Sequence, residues 1–209
     1  MSKLFLEILD EKRLTVFKAL RGFRDTGVLG GGTSLALQIG HRRSYDFDVF
    51  TFESLKPLLW KQIRKIFGAG WVRTLDIQDQ INLVTPTGIS LTFFYDDYKF
   101  LFKPIKTDHL DLMDPRDLST TKAVAIGRRG KWRDYVDIYF LLKNNIVTLE
   151  QIIEFSEKRT GSEFPTRLFL QQLVYFDDIT DYKIDFIDKE ILPEEIKNFL
   201  IQETKKIRF

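Results

Sequence analysis

The chain has 209 residues, 44% of them apolar, with 19 Phe, a formal charge of only +2 and no cysteine. That much apolar side chain supports a buried core and excludes a disordered chain. The missing thiols exclude a disulfide frame and a thiolate metal site, and the near-neutral balance gives no bulk attraction to nucleic acid.

The first residues, MSKLFLEILDEKRL, carry charges every few positions, unlike a secretory leader. No apolar run approaches the roughly 20 residues of a membrane span, so the expectation is a soluble, cytoplasmic protein with no membrane partner. Leu4, Ile8, Leu9, Val16, Phe17 and Leu20, spaced among charges, predict an amphipathic helix or helix pair over 3–23. Residues 25–27 read as a turn, and Val28 and Leu29 as a short strand entering three glycines. Thr33 or Ser34 is the expected cap of a helix that Gly40 ends. A strand follows over 46–51, then a helix over 54–67 with Ser54 as its N-cap and Pro57 in the first turn. Gly68 and Gly70 break that helix, and strands follow over 71–77, 81–85 and 89–95, the last two joined by a turn at Pro86, Thr87 and Gly88. This order predicts a mixed sheet with helices packed on it. Beyond Tyr98 there is a connection with one short strand over 100–113, then helices only, over 115–128, 132–143, 149–159, 165–174 and 193–206. Thr148 and Gln151 match the capping-box pattern. The expected fold class is α+β, with an α/β core over 1–112 and a helical C-terminal domain over 113–209.

The most informative stretch is 30–50, GGGTSLALQIGHRRSYDFDVF. A glycine-rich turn opening a helix offers backbone N–H groups to a phosphate. It is neither a Walker A loop nor a dinucleotide fingerprint, since no Gly-Lys-Ser/Thr follows and no third glycine stands at the required offset. Asp46 and Asp48 follow at i and i+2 on a predicted strand, hence on one face, with Phe47 sent to the core. Two carboxylates on one face repel and call for a cation between them. Only oxygen donors are evident, which favours Mg²⁺ or Mn²⁺. Arg42 or Arg43 is placed to neutralise the triphosphate charge left over. His41 reads as structural or substrate-adjacent, not as a ligand.

A second constellation joins Lys122 to the run RRGKWRDYVD over 128–137. Asp134 and Asp137 are i,i+3 neighbours on a helix whose buried stripe would be Tyr135, Ile138 and Leu142. Lys122 would meet phosphate or a ligand carboxylate, while Asp137, with Asp134 behind it, would hold Lys122 and is a candidate base. An alternative has Trp132 stacking on an RNA base beside the Arg/Lys cluster. An ordinary salt-bridged helical hairpin explains the same residues.

Together, GGTSLALQIGHRRSYDFDVF and, some 70 residues later, TTKAVAIGRRGKWRDYVDIYFLLK resemble the AbiEii/AbiGii toxin family of nucleotidyltransferases, within the DNA polymerase β-like superfamily. The resemblance implies a minimal nucleotidyltransferase fold followed by a helical half. It implies transfer of a nucleotide from an NTP to an acceptor hydroxyl, tRNA in several relatives, and a cognate antitoxin as partner. The family's first motif falls on Gly31, Gly32, Thr33, Arg42, Ser44, Asp46 and Asp48, which favours Arg42 over Arg43. Its later motif falls on Lys122, Ala125, Arg133, Asp134 and Asp137. The implied catalytic set is Asp46, Asp48, Lys122 and Asp137, with metal on Asp46 and Asp48; the implied NTP-binding set is Gly31, Gly32, Thr33, Arg42, Ser44, Arg133 and Asp134.

One position departs from the pattern. Relatives place a third carboxylate on a later strand, in a run such as Val-Lys-Val-Asp-Phe-Phe; here Ile89 to Phe94 read ISLTFF, with Thr92 at that place. Threonine neither neutralises a second cation nor takes a proton at neutral pH. Losing a general base costs roughly 10² to 10⁴ in rate. Asp96 and Asp97 lie beyond the strand end, displaced by over ~10 Å if the strand stays regular. The competing expectations are therefore a nucleotidyltransferase, a catalytically impaired NTP- or RNA-binding module of the same fold, and a protein acting through a partner.

Overall fold

The structure is a computed structural model that describes residues 3–85 and 87–208; Pro86 of the predicted turn lies outside them, as does the side chain of Arg129 from the basic run. Two units are present, one of residues up to Asp97 with Lys103–Met113, the other of Tyr98–Phe102 with the chain from Asp114 onward.

In the first unit, helix α1 (Glu11–Ala19) is flanked by short 3-10 turns, Leu6–Ile8 and Leu20–Phe23, so the predicted helix pair is one helix with a tight turn at each end. Asp10 caps α1 by accepting the backbone N–H of Arg13. Strand β1 (Gly27–Gly30) runs into helix α2 (Gly31–Ile39), then β2 (Phe47–Thr51), α3 (Leu58–Phe67), β3 (Val72–Ile77), β4 (Gln80–Val84) and β5 (Ser90–Tyr95). The expected caps at Thr33, Ser34 and Ser54 are corrected. The N-caps are Gly30 for α2 and Pro57 for α3, neither with a side-chain bond, because the turns begin earlier and later than the hydroxyl positions.

The five strands form one sheet in the order β1-β2-β5-β4-β3, with β2 and β5 parallel and the other neighbours antiparallel. Strand alternation sorts its two faces. Phe47, Val49, Ile81, Leu83, Leu91 and Phe93 are buried on one face. Phe17 of α1 stacks on Phe47, and Phe23 packs against both Phe93 and Phe67 of α3, so an aromatic layer seals that side. The other face carries Asp48, Thr92 and Asn82, all partly exposed, in one cross-strand row.

The second unit holds α4 (Pro115–Arg129), α5 (Trp132–Lys143), α6 (Leu149–Thr160), α7 (Thr166–Leu173) and α8 (Pro193–Lys206). Asp114 caps α4 in front of Pro115. The stripe Tyr135, Ile138 and Leu142 is buried as its spacing predicts. Asp117 is buried, which pushes its carboxyl above the usual range, against the pull of the Leu101 and Phe102 N–H groups it accepts. Tyr139 donates to Glu195 of α8, and its hydroxyl is pushed up to about 12 by burial and by that carboxylate. The capping box at α6 is complete, with Thr148 and Gln151 each bonding the other's backbone N–H. Thr148→Ala removes one acceptor and is expected to cost about 0.5–2 kcal/mol, read as a lower midpoint in urea unfolding. Among the described residues, no helix is long and apolar enough to cross a membrane.

Candidate active site

The site begins where β1 meets α2. Gly30 pairs with Asp48 across the β1–β2 ladder, so the helix start and the second aspartate share a row. Gly31 has φ +64°, a region that costs an L-residue roughly 1–2 kcal/mol. A Cβ on Gly31 would lie 2.3 Å from Asp48 Oδ2. The carboxylate therefore rests against the first turn of α2, where the N-terminal N–H groups and the positive end of the helix dipole lie. Gly31→Ala is expected to lose about 1–2 kcal/mol from backbone strain alone. It should also push the Asp48 carboxylate aside, so activity should fall further than urea unfolding explains.

Gly32 is packed in the same way, since a Cβ there would meet Arg42 Nη2 at 2.5 Å. Arg42 is buried, and its Nη1 donates to the Arg43 carbonyl at 2.9 Å. A guanidinium beside the helix start adds positive charge where a phosphate would sit. Thr33 is buried, and its hydroxyl donates to the Asp46 carbonyl and lies 2.9 Å from the Ser44 hydroxyl. In this arrangement Thr33 and Ser44 fasten the chain that presents Asp46. Asp46 stands exposed one residue before β2, so the predicted strand starts one residue late, at Phe47. Phe47 is fully buried and Asp48 opens to the other face, as the alternation predicts.

Arg13 is a contributor that the sequence did not disclose. Its Nε donates to the Tyr45 carbonyl at 2.9 Å, and its guanidinium lies 4.9 Å from the Tyr45 ring centroid. The Arg13 backbone N–H, and after it the guanidinium, hold the Asp10 carboxyl below its usual range. Two successive carbonyls, of Tyr45 and Asp46, are thus tied down by side chains from α1 and α2. The partners are 32 residues apart for Arg13, so no local pattern signals the contact.

Thr92 pairs with Asp48 in the β2–β5 ladder, and Asn82 pairs with Thr92 in the next. The row beside Asp48 is neutral, and no group of three or more acidic or histidine side chains able to hold a metal occurs among the described residues. As two oxygen donors, Asp46 and Asp48 have the chemistry that would suit Mg²⁺ or Mn²⁺. A cavity of about 320 Å³, lined in part by Thr26, Thr51, Phe52 and Gln62, lies toward the other end of β2 and includes none of these residues.

In the helical unit, Lys122 Nζ lies 2.7 Å from both Asp134 Oδ1 and Asp137 Oδ2, and all three residues are buried. Arg133 is exposed in the first turn of α5. Trp132 corrects the RNA-stacking alternative. It is buried, with its ring 4.9 Å from Tyr182 and 6.0 Å from Tyr135, so neither face is offered to a base.

A mixed sheet whose second strand carries Asp48 against a glycine-led helix start, with Asp46 just before that strand, joined to a helical half, is the nucleotidyltransferase fold. The chain belongs to the AbiEii family of nucleotidyltransferase toxins of type IV toxin–antitoxin systems, whose profile matches residues 16–206. An uncharacterized protein of Aquifex aeolicus (strain VF5) is 31% identical over 185 residues, 85% of this chain and 86% of that one. Among solved structures, the Mycobacterium tuberculosis nucleotidyltransferase toxin MenT4 aligns with a TM-score of 0.61 at 13% identity, covering 91% of this chain and 80% of that one. A candidate nucleotidyltransferase from H. pylori aligns with a TM-score of 0.56 at 18% identity, covering 95% of each chain. At such identities the two structures speak for the fold alone.

Proposed function

We propose that this chain moves a nucleotide from an NTP to an acceptor hydroxyl on RNA, with tRNA the first candidate, and that it is the toxin half of a pair with a cognate antitoxin. One observation carries the reading. The Asp48 carboxylate lies against Gly31 at the start of α2, so one aspartate of the pair sits at a helix end of the kind that suits a phosphate. The N–H groups at Gly31 and Gly32 donate to phosphate oxygens, and Arg42 neutralises charge beside them. Thr33, Ser44 and Arg13 keep Asp46 in place through the loop backbone. Asp46 and Asp48 would hold a divalent cation, which would supply Lewis-acid stabilisation of charge on the transferring phosphate. Asp137 is fully buried on the Lys122 ammonium, so we assign Asp134 and Asp137 to holding Lys122. Arg133, exposed on α5, is assigned to a phosphate of nucleotide or acceptor.

The test is incubation with each α-labelled NTP, Mg²⁺ and total RNA. Label in a discrete RNA band supports the proposal. Failure of every NTP across RNA, protein and small-molecule acceptors rejects it.

The row Asp48–Thr92–Asn82 favours a second reading, an NTP-binding module with little or no transfer. Calorimetry that finds Mg²⁺-dependent NTP binding without pyrophosphate release would select it. Thr92→Asp separates the two readings further. It puts like charges directly opposite, costing about 0.2–1 kcal/mol of stability without cation, and is expected to raise transfer when Mg²⁺ is present. Unchanged transfer would show that Thr92 is not the limiting position.

A further inference from the structure

We propose that β3 is a homodimerisation edge that pairs antiparallel with β3 of a second copy of this chain, about a two-fold axis normal to the sheet. Strand β3 ends the sheet, so among the described residues no strand pairs with one side of its backbone. Val72 is 60% exposed and Ile77 55% exposed, an unusual outlay of apolar surface on an edge. Arg73 and Asp76 lie between them and form an exposed ion pair within the strand.

The β3–β4 register decides which faces these residues occupy. Arg73 pairs with Leu83 and Leu75 with Asn82, so Thr74 is an extra, bulged residue. In an unbroken strand Val72 and Ile77 would lie on opposite faces. The bulge brings Val72, opposite Val84, and Ile77, opposite Gln80, to the same face as Asp48. It likewise puts Arg73, opposite Leu83, and Asp76, opposite Ile81, on the other face. A two-fold pair requires that residues facing each other across the new ladder share a face. With Val72 set against the partner's Ile77, that condition holds, and Arg73 then meets the partner's Asp76. Each contact occurs twice, apolar on one face and oppositely charged on the other.

A bulge and charges normally protect an edge from indiscriminate pairing. Here the same features reject a strand of another sequence and accept this one, which is how an edge becomes specific. The sheet would become a ten-stranded one with both Asp48 rows on the same face. From β2 to its counterpart there are three strand steps to the edge, one across and three back. At roughly 4.8 Å per step the two rows lie about 34 Å apart along the sheet.

The chain lacks native cysteine, which makes a crosslinking test clean. Val72→Cys with Ile77→Cys in one chain is expected to give a covalent dimer under mild oxidation. Within a chain those positions are four ladder steps, about 13 Å, apart, beyond the ~7 Å reach of a disulfide, and either single variant would set its cysteines about as far apart across the ladder. Sedimentation of the full chain over a concentration series should show a reversible monomer–dimer equilibrium. Arg73→Asp puts like charges opposite each other twice and should weaken that equilibrium about tenfold. Adding Asp76→Arg should restore it, with circular dichroism confirming that each variant is folded. A monomer at every concentration, equal crosslinking in the single-cysteine variants, or no rescue by the double charge reversal would overturn the proposal.

Discussion

Asp48→Asn is expected to reduce nucleotide transfer by about 10³-fold or more. In the proposed scheme the substitution removes one of the two carboxylates that would hold the divalent cation. Lewis-acid stabilisation is worth several kcal/mol in the transition state, and each ~1.4 kcal/mol is tenfold in rate. Asp46→Ala should act in the same direction, through an exposed residue whose backbone is fixed by Thr33. On the proposed assignment the loss should fall mainly on kcat, because the N–H groups at Gly31 and Gly32 and the Arg42 guanidinium would still receive the phosphates. Both variants should keep the wild-type circular dichroism spectrum, and Asp46→Ala the urea midpoint as well, since Asp46 is exposed. Full activity in either would reject the transferase scheme. Raising Mn²⁺ adds a check: activity of Asp48→Asn should recover in part, as its amide oxygen remains a weak donor to a cation.

The largest stability effect is expected at Lys122. Its ammonium lies 2.7 Å from an oxygen of each of two buried aspartates, one helical turn apart on α5, and it comes from α4. Lys122→Met keeps the aliphatic bulk but strands two carboxylates beside each other away from water. Removing one partner of a buried charge set costs about 3–5 kcal/mol. At roughly 2–4 °C per kcal/mol for a chain of this size, the melting temperature should fall by about 6–20 °C. Lys122→Met combined with Asp134→Asn and Asp137→Asn should recover much of the loss, because a buried ion set replaced as a whole is often close to neutral. A Lys122→Met variant that melts like wild type would show that the ammonium is not what holds α4 to α5.

The sheet and helices were legible where periodicity and breakers coincide. Trp132–Lys143 and Pro193–Lys206 form the predicted helices, because an apolar stripe or an initial proline marks each start. Thr148 and Gln151 form their capping box because both partners are three residues apart. The caps expected at Thr33, Ser34 and Ser54 failed for a stated reason: a hydroxyl caps only where the chain turns, and the turns lie at Gly30 and Pro57. Trp132 looked available for stacking because it sits in a basic run, yet Tyr182 and Phe176, some 44 to 50 residues on, enclose it.

The sequence by itself determined the chemistry of the parts: a small-residue helix start, two aspartates on either side of a buried Phe47, and a lysine with two aspartates at helical spacing. These are local patterns, set by periods of two and of 3.6 residues. The tertiary structure alone decided which parts meet. Strand pairing brought Gly30, Asp48, Thr92 and Asn82 into one row from four separate strands. Packing of α1 put Arg13 on the Tyr45 carbonyl, and a single bulged threonine turned Val72 and Ile77 to the same side. Register and long-range side-chain contacts depend on how whole faces bury against each other, and no window along the chain contains that information.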